Sequence, residues 1–234
     1  MKLTDRENDL LRALSGTTKA ALSLVPGLGQ AIAGFDAYNQ SKFERSIMQF
    51  IETLSGKVDD LQDLFTTEWL STEDGKVFVR KVVAAALDEQ ILEKQELFAN
   101  ALISGISNEA LSNLEKFKFV DILRNLSLVS LMVLADMHEM FKKNVRGPNR
   151  QADPIGPPPE VNSEKITRQL SSKYEPYLVL SAIEELKSHG LFSNHIEWLK
   201  SNDGNWRPGT GFDTAIAYTD FTYKFVEFIT GKNK

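Results

Sequence analysis

The stretch Phe43 to Phe65, FERSIMQFIETLSGKVDDLQDLF, decides the fold class. Its Phe43, Ile47, Ile51, Leu54, Val58, Leu61 and Phe65 are separated by 4, 4, 3, 4, 3 and 4 residues. That spacing puts all seven on one stripe of an α-helix, whereas a strand would need a period of two. One long helix through the whole stretch is predicted. A seam of about three heptads is shorter than a free-standing coiled coil uses, so a helical bundle is the expected setting. The same seven residues are also the candidate seam for self-association. Gly56 is the one weak helix former in the run, at a cost of about 1 kcal/mol relative to Ala.

Working outward, Thr4 and Glu7 have the spacing of a capping box and open a helix predicted to reach about Val25, striped by Leu10, Leu11, Leu14 and Leu22. On the other side, Ser71 to Asp74 start a third helix running through Val79, Val82, Val83, Ala86, Ile91, Phe98 and Leu102, with Ser104-Gly105 as its stop signal. Ser112 and Glu115 make a second capping box before Phe119, Ile122, Leu123, Leu126, Leu131, Val133 and Leu134, and helix is expected to about Phe141. Residues 1–110 thus read as a helical bundle.

Beyond this point KKNVRGPNRQADPIGPPPE holds five of the chain's eight prolines, marking a Pro/Gly-rich loop over residues 144–160. Two short helices are predicted over 163–172 and 175–188, two short strands over 191–198 and 215–218, and turns through SNDGNWRPGTGFD between them. Thr219-Asp220 caps a last helix carrying Phe221, Phe225, Phe228 and Ile229. Three helices, a two-stranded ribbon and a helix is the order of a winged-helix-like module over residues 111–234, with the ribbon as its wing. The predicted fold class is mainly α.

Composition narrows the function classes. The chain has 234 residues, 42% apolar and 25% charged, the balance of a folded domain or two. Its net charge of -5 argues against a body-wide preference for nucleic acid or anionic lipid. Residues 1–110 carry 11 Lys/Arg against 17 Asp/Glu, so the acidic half is the front half. With no cysteine, disulfides, thiolate ligands and a cysteine nucleophile are excluded. MKLTDRENDLLRAL is polar where a secretory signal would be apolar, so the cytoplasm is expected.

The segment Leu22 to Phe35, LSLVPGLGQAIAGF, is the most device-like in the chain. A phosphate-binding loop needs Lys and a hydroxyl after its last Gly, but Gln30, Ala31 and Ile32 follow Gly29. A dinucleotide fingerprint needs a Gly where Ile32 stands. Residues 20–35 carry no charge, and Gly27, Ala31 and Gly34 share one helical face. Sixteen residues fall short of the roughly 20 a spanning helix needs, and Pro26 splits them into two legs. A tight helix corner built on Pro26, Gly27, Gly29 and Gly34 is the preferred reading, with a membrane-perturbing hairpin as the second.

No catalytic set emerges. His138, His189 and His195 lack ligand spacing, and no Ser/His/Asp motif surrounds any serine. No cofactor, metal or small-molecule substrate is expected. The helix in the recognition position, EPYLVLSAIEELKS, has three Glu, one Lys and no Arg, whereas groove reading uses Arg, Lys, Asn or Gln on base edges. Lys165, Arg168, Lys173, Lys200 and Arg207 form the only basic margin, so DNA binding ranks below protein binding.

Three stretches carry a resemblance: LDEQILEKQELFANALISGIS at Leu87 to Ser107, KFVDILRNLSLVSLMVL at Lys118 to Leu134, and AYTDFTYKFVEFI at Ala217 to Ile229. Their layout over residues 75–230 resembles the abortive-infection alpha family of bacterial phage-defence-associated proteins, with Phe98 where many relatives have Trp or Leu before the Ala-Asn step. The resemblance implies a bacterial cytoplasmic protein with a role in abortive infection or a related stress response. It favours an interaction or effector protein over an enzyme and transfers no functional residues. The expectation is therefore a non-enzymatic defence-associated protein acting through protein contacts, with a partner or with itself. The alternative is a winged-helix DNA-binding regulator.

Overall fold

The computed structural model describes residues 40–59, 61–145, 160–195, 198–200, 206–208 and 215–231. Pro26, Gly27, Gly29 and Gly34, the first predicted helix and most of the Pro/Gly-rich loop lie outside these residues. The chain is mainly helical and divides into two compact units, residues 1–124 with 227–234, and residues 125–226.

The first unit contains α1 (Gln40–Ser55), α2 (Leu61–Phe65), α3 (Glu68–Ser71), α4 (Glu73–Asp88), α5 (Leu92–Ser107) and α6 (Asn113–Asn125), whose last residue already belongs to the second unit. Helix α1 packs on α4 and α5, and α4 on α5. Four residues of the seam are core here. Ile47, Ile51, Leu54 and Phe65 are buried within the unit rather than held out for a second copy, because the period that suits a coiled coil equally suits an α1 stripe laid on its neighbours. Val58 is half-buried between helices, and Phe43 and Leu61 lie in α1 and α2.

Nor is the seam one long helix. Thr53 and Ser55 turn their hydroxyls back to the carbonyls of Gln49 (2.8 Å) and Ile51 (2.9 Å), and Lys57 N–H donates to the Leu54 carbonyl at 3.0 Å in a tightened last turn. With Gly56, a poor helix former, following, local side-chain bonding ends the helix where the apolar spacing alone would continue it.

The predicted third helix is likewise two. Its break is at Glu89, whose carboxylate accepts the N–H groups of Gln90 (2.9 Å) and Ile91 (3.0 Å) and so replaces helical partners. Gly105, by contrast, does not stop α5. A Cβ placed on it would lie 2.2 Å from Cζ of Phe78, so this glycine serves a close approach of α5 to the Phe78 ring. Phe78 is fully buried, with ring centroids of Trp69 at 5.5 Å, Phe117 at 6.1 Å and Phe228 at 6.4 Å. That aromatic cluster, with Phe98 and Phe119, is the core of the unit.

Thr4 and Glu7 lie outside the described residues, but the later predicted helix starts are capped. Thr72 Oγ1 accepts Gly75 N–H at 3.1 Å, Ser112 Oγ accepts Glu115 N–H at 3.3 Å, and the Glu115 carboxylate accepts Ser112 N–H at 2.9 Å. Helix α6, placed by the sequence after a boundary near residue 110, belongs with the bundle. Lys81 pairs with Asp121 at 2.7 Å and Trp69 Nε1 donates to Asn113 Oδ1 at 3.1 Å, so polar and aromatic contacts tie α6 to α3 and α4.

The second unit contains α7 (Leu128–Val145), β1 (Glu160–Asn162), α8 (Ser163–Leu170), α9 (Pro176–Ser188), β2 (Phe192–His195), β3 (Trp198–Lys200), β4 (Trp206–Pro208) and β5 (Ala215–Tyr218). Helix α10 (Asp220–Thr230) contributes residues up to Val226 to this unit and the rest to the first. Helix α9 packs on α7 and α8 through Val179, Ala182, Ile183 and Leu186. The chain leaves α9 through Gly190 at φ +75°, with Leu191 N–H reaching back to the Leu186 carbonyl at 3.1 Å.

Among the described residues a single two-stranded wing, as predicted, is not found. The run over 191–198 yields two strands, β2 and β3, with different partners. Strand β5 lies antiparallel between β1 and β2, in register Val161↔Ile216 and Asn194↔Ile216. Strand β3 pairs instead with β4, Leu199↔Arg207, inside the stretch read as turns.

Candidate functional site

In the second unit α8 and α9 present the surface on which both function hypotheses meet. Helix α9 starts at Pro176, where a missing N–H costs nothing, and buries one face. The opposite face carries Tyr177, 67% exposed, and Leu180, 42% exposed, with Ser181, Glu184 and Ser188 beside them. These positions recur at helical spacing and form one strip. Lys187, one turn from Glu184 on the same helix, is held by it at 2.7 Å.

Among the basic candidates whose side chains are described, Lys173 and Arg168 are engaged. Lys173 Nζ donates to the Asp136 carboxylate at 2.7 Å and lies 5.2 Å from the Tyr174 ring centroid. Asp136 also accepts the Tyr174 hydroxyl at 2.7 Å. The hydrogen bond to Asp136 holds the Lys173 ammonium above its usual pKa, and burial with the same carboxylate raises that of Tyr174. Arg168 pairs with Glu164 at 2.8 Å, both largely exposed. Lys165 is exposed on α8, and Lys200 and Arg207 lie in β3 and β4.

Glu185, on the side of α9 toward α7, is a residue the sequence reading missed. Its carboxylate accepts Ser127 N–H at 2.8 Å, the Ser127 hydroxyl at 2.7 Å and the Ser130 hydroxyl. Ser127 Oγ in turn accepts Ser130 N–H at 3.2 Å, capping α7. Burial acts to raise the Glu185 pKa, but the hydrogen bonds from Ser130 and Ser127 outweigh it and the carboxyl sits below its ordinary value. A carboxylate at a helix N-terminus also meets the positive end of the helix dipole. The arrangement is a helix clamp: both hydroxyls donate toward a carboxylate.

In the first unit Lys116, 4% exposed, lies 4.0 Å from the Trp69 ring centroid, and burial lowers its pKa. Such a lysine packs α6 on α3.

The histidines stay apart. His138 is buried in α7 edge-on to Tyr223 at 5.6 Å, His189 is the C-cap of α9, and His195 lies in β2. Among the described residues no group of three or more His, Asp or Glu is placed to hold a metal ion, and no helix is long and apolar enough to cross a membrane.

No family model matches the chain, and neither a curated protein nor a solved structure does.

Proposed function

We propose that the chain is a non-enzymatic, bacterial defence- or stress-associated protein that works through protein contacts, with the second unit a winged-helix module whose recognition-position helix binds protein. What supports the module is the order α7, β1, α8, α9, β2, β5 around a sheet of order β1-β5-β2, with the β3–β4 ribbon inserted between β2 and β5. What supports protein over DNA is the exposed strip of α9: Tyr177 and Leu180 with Glu184, and Lys187 already paired with that glutamate. A groove-reading helix would present unpaired Arg, Lys, Asn or Gln there. Exposed aromatic and aliphatic side chains on a rigid helix are what protein interfaces use as anchors.

The experiment is a duplex-DNA titration of the full chain at low and high salt, alongside Lys165→Ala with Arg207→Ala. The proposal expects no salt-dependent affinity. A steep salt slope that flattens in the double variant would return the DNA-binding regulator to first place. The uncharged 20–35 segment is the part of the chain suited to lipid, and liposome co-sedimentation tests whether an effector role at a membrane belongs to the same function.

A further inference from the structure

The corner between α4 and α5 in the first unit is fixed far more firmly than a short connection requires. Besides the two N–H groups that Glu89 accepts, its carboxylate pairs with Lys94 Nζ at 3.1 Å. That ammonium also donates to the Arg124 carbonyl at 3.0 Å, and Gln95 Nε2 donates to the Glu89 carbonyl at 2.8 Å. Lys94 and Gln95 are 7% and 4% exposed, so two long polar side chains are buried to hold this backbone.

What the corner holds out is apolar. Ile91 is 39% and Leu92 45% exposed, adjacent in the chain. Exposed around them stand Asp88, Glu93 and Glu96, and Glu96 follows Leu92 by one helical turn on the same face. Asp88 is paired with Arg124 at 3.5 Å, whereas Glu93 and Glu96 make no ion pair among the described residues.

We propose that this corner docks a basic amphipathic segment of a partner protein, which seats an apolar side chain against Ile91 and Leu92 and brings Lys or Arg to Glu93 and Glu96. A single exposed aliphatic is ordinary, but here two sit on backbone whose ordering cost is already met by folding, so little is lost on association. The two unanswered carboxylates set the sign of the partner and steer its approach. A second copy docking through the same half would bring acid to acid, given 17 Asp/Glu against 11 Lys/Arg in residues 1–110. The uncharged 20–35 segment would leave both carboxylates unpaired.

The test uses the full chain and two labelled synthetic helical peptides, one of Leu and Lys and its Leu and Glu counterpart, followed by fluorescence anisotropy. The Leu/Lys peptide is expected to bind and the Leu/Glu peptide not. Ile91→Ser with Leu92→Ser should weaken binding roughly tenfold, the loss typical of removing interface anchors. Glu93→Gln with Glu96→Gln should weaken it less and remove most of its salt dependence. Circular dichroism confirms folding, and the single change Leu92→Lys serves if the double serine variant does not fold. Unchanged affinity in the folded Ile91/Leu92 variants, or equal binding of both peptides, overturns the proposal. So does an oligomer of the chain that dissociates on these substitutions, since the occupant would then be a second copy.

Discussion

Gly105→Ala sets helix propensity against packing, and the two predict opposite signs. Inside an ordinary helix the change would stabilise by about 1 kcal/mol. Here the new Cβ would lie 2.2 Å from Cζ and 2.5 Å from Cε1 of Phe78, when ordinary contact begins near 3.4 Å. The ring cannot swing aside freely. It is fully buried, with Trp69, Phe117 and Phe228 around it at 5.5, 6.1 and 6.4 Å. Relieving a gap short by more than 1 Å demands a shift of helix against helix, and overpacking of this kind costs roughly 1–3 kcal/mol, occasionally more. A gap this short puts the cost in the upper part of that range, about 2–3 kcal/mol, so after the propensity gain a net loss of about 1–2 kcal/mol is expected. Thermal unfolding followed by circular dichroism reads it as a fall in Tm of about 2–4 °C per kcal/mol for a chain of this size. A variant as stable as the parent, or more stable, would refute the close α5–Phe78 contact.

Three further outcomes follow from the same geometry. Leu54→Ala, at a position 2% exposed, should cost about 2–4 kcal/mol in urea unfolding while leaving the sedimentation coefficient of the folded chain unchanged; a loss of oligomer without loss of stability would restore the seam to self-association. Lys94→Met should cost roughly 2–3 kcal/mol, because the Glu89 carboxylate and the Arg124 carbonyl both lose their partner in a nearly buried setting. Glu185→Gln should cost about 1 kcal/mol at neutral pH, after allowance for solvent screening of a partly exposed group. Since the folded-state pKa of Glu185 lies below its ordinary 4.5, that contribution is complete above the ordinary value and lost as pH falls through the folded one. The gap between parent and variant should therefore close in acid, and a gap that widened would contradict the clamp.

Local chemistry was legible in the sequence; choice of partner was not. The Ser112–Glu115 box and the Thr72 and Thr219 caps need only residues three apart, so their spacing reveals them. The stripe from Phe43 to Phe65 announces a helix surface that must be covered, but the same stripe fits a neighbour in the fold or a second copy. Gly105 reads as a helix stop because glycine often is one, and only the distant Phe78 ring gives its other purpose. Glu185 looks like one more solvated glutamate, since the serines it holds lie 58 and 55 residues away. Charge on Lys173 is visible in the sequence, whereas its pairing to Asp136 depends on α7 lying beside the α8–α9 turn.

The central claim is that the outward face of α9 meets protein. Its most direct test is site-specific photocrosslinking in cells from a benzoylphenylalanine placed at position 177, where the native Tyr177 is 67% exposed. The account predicts an adduct that resists nuclease, is destroyed by protease, and is lost when Leu180→Ser is added. An adduct sensitive to nuclease would contradict it.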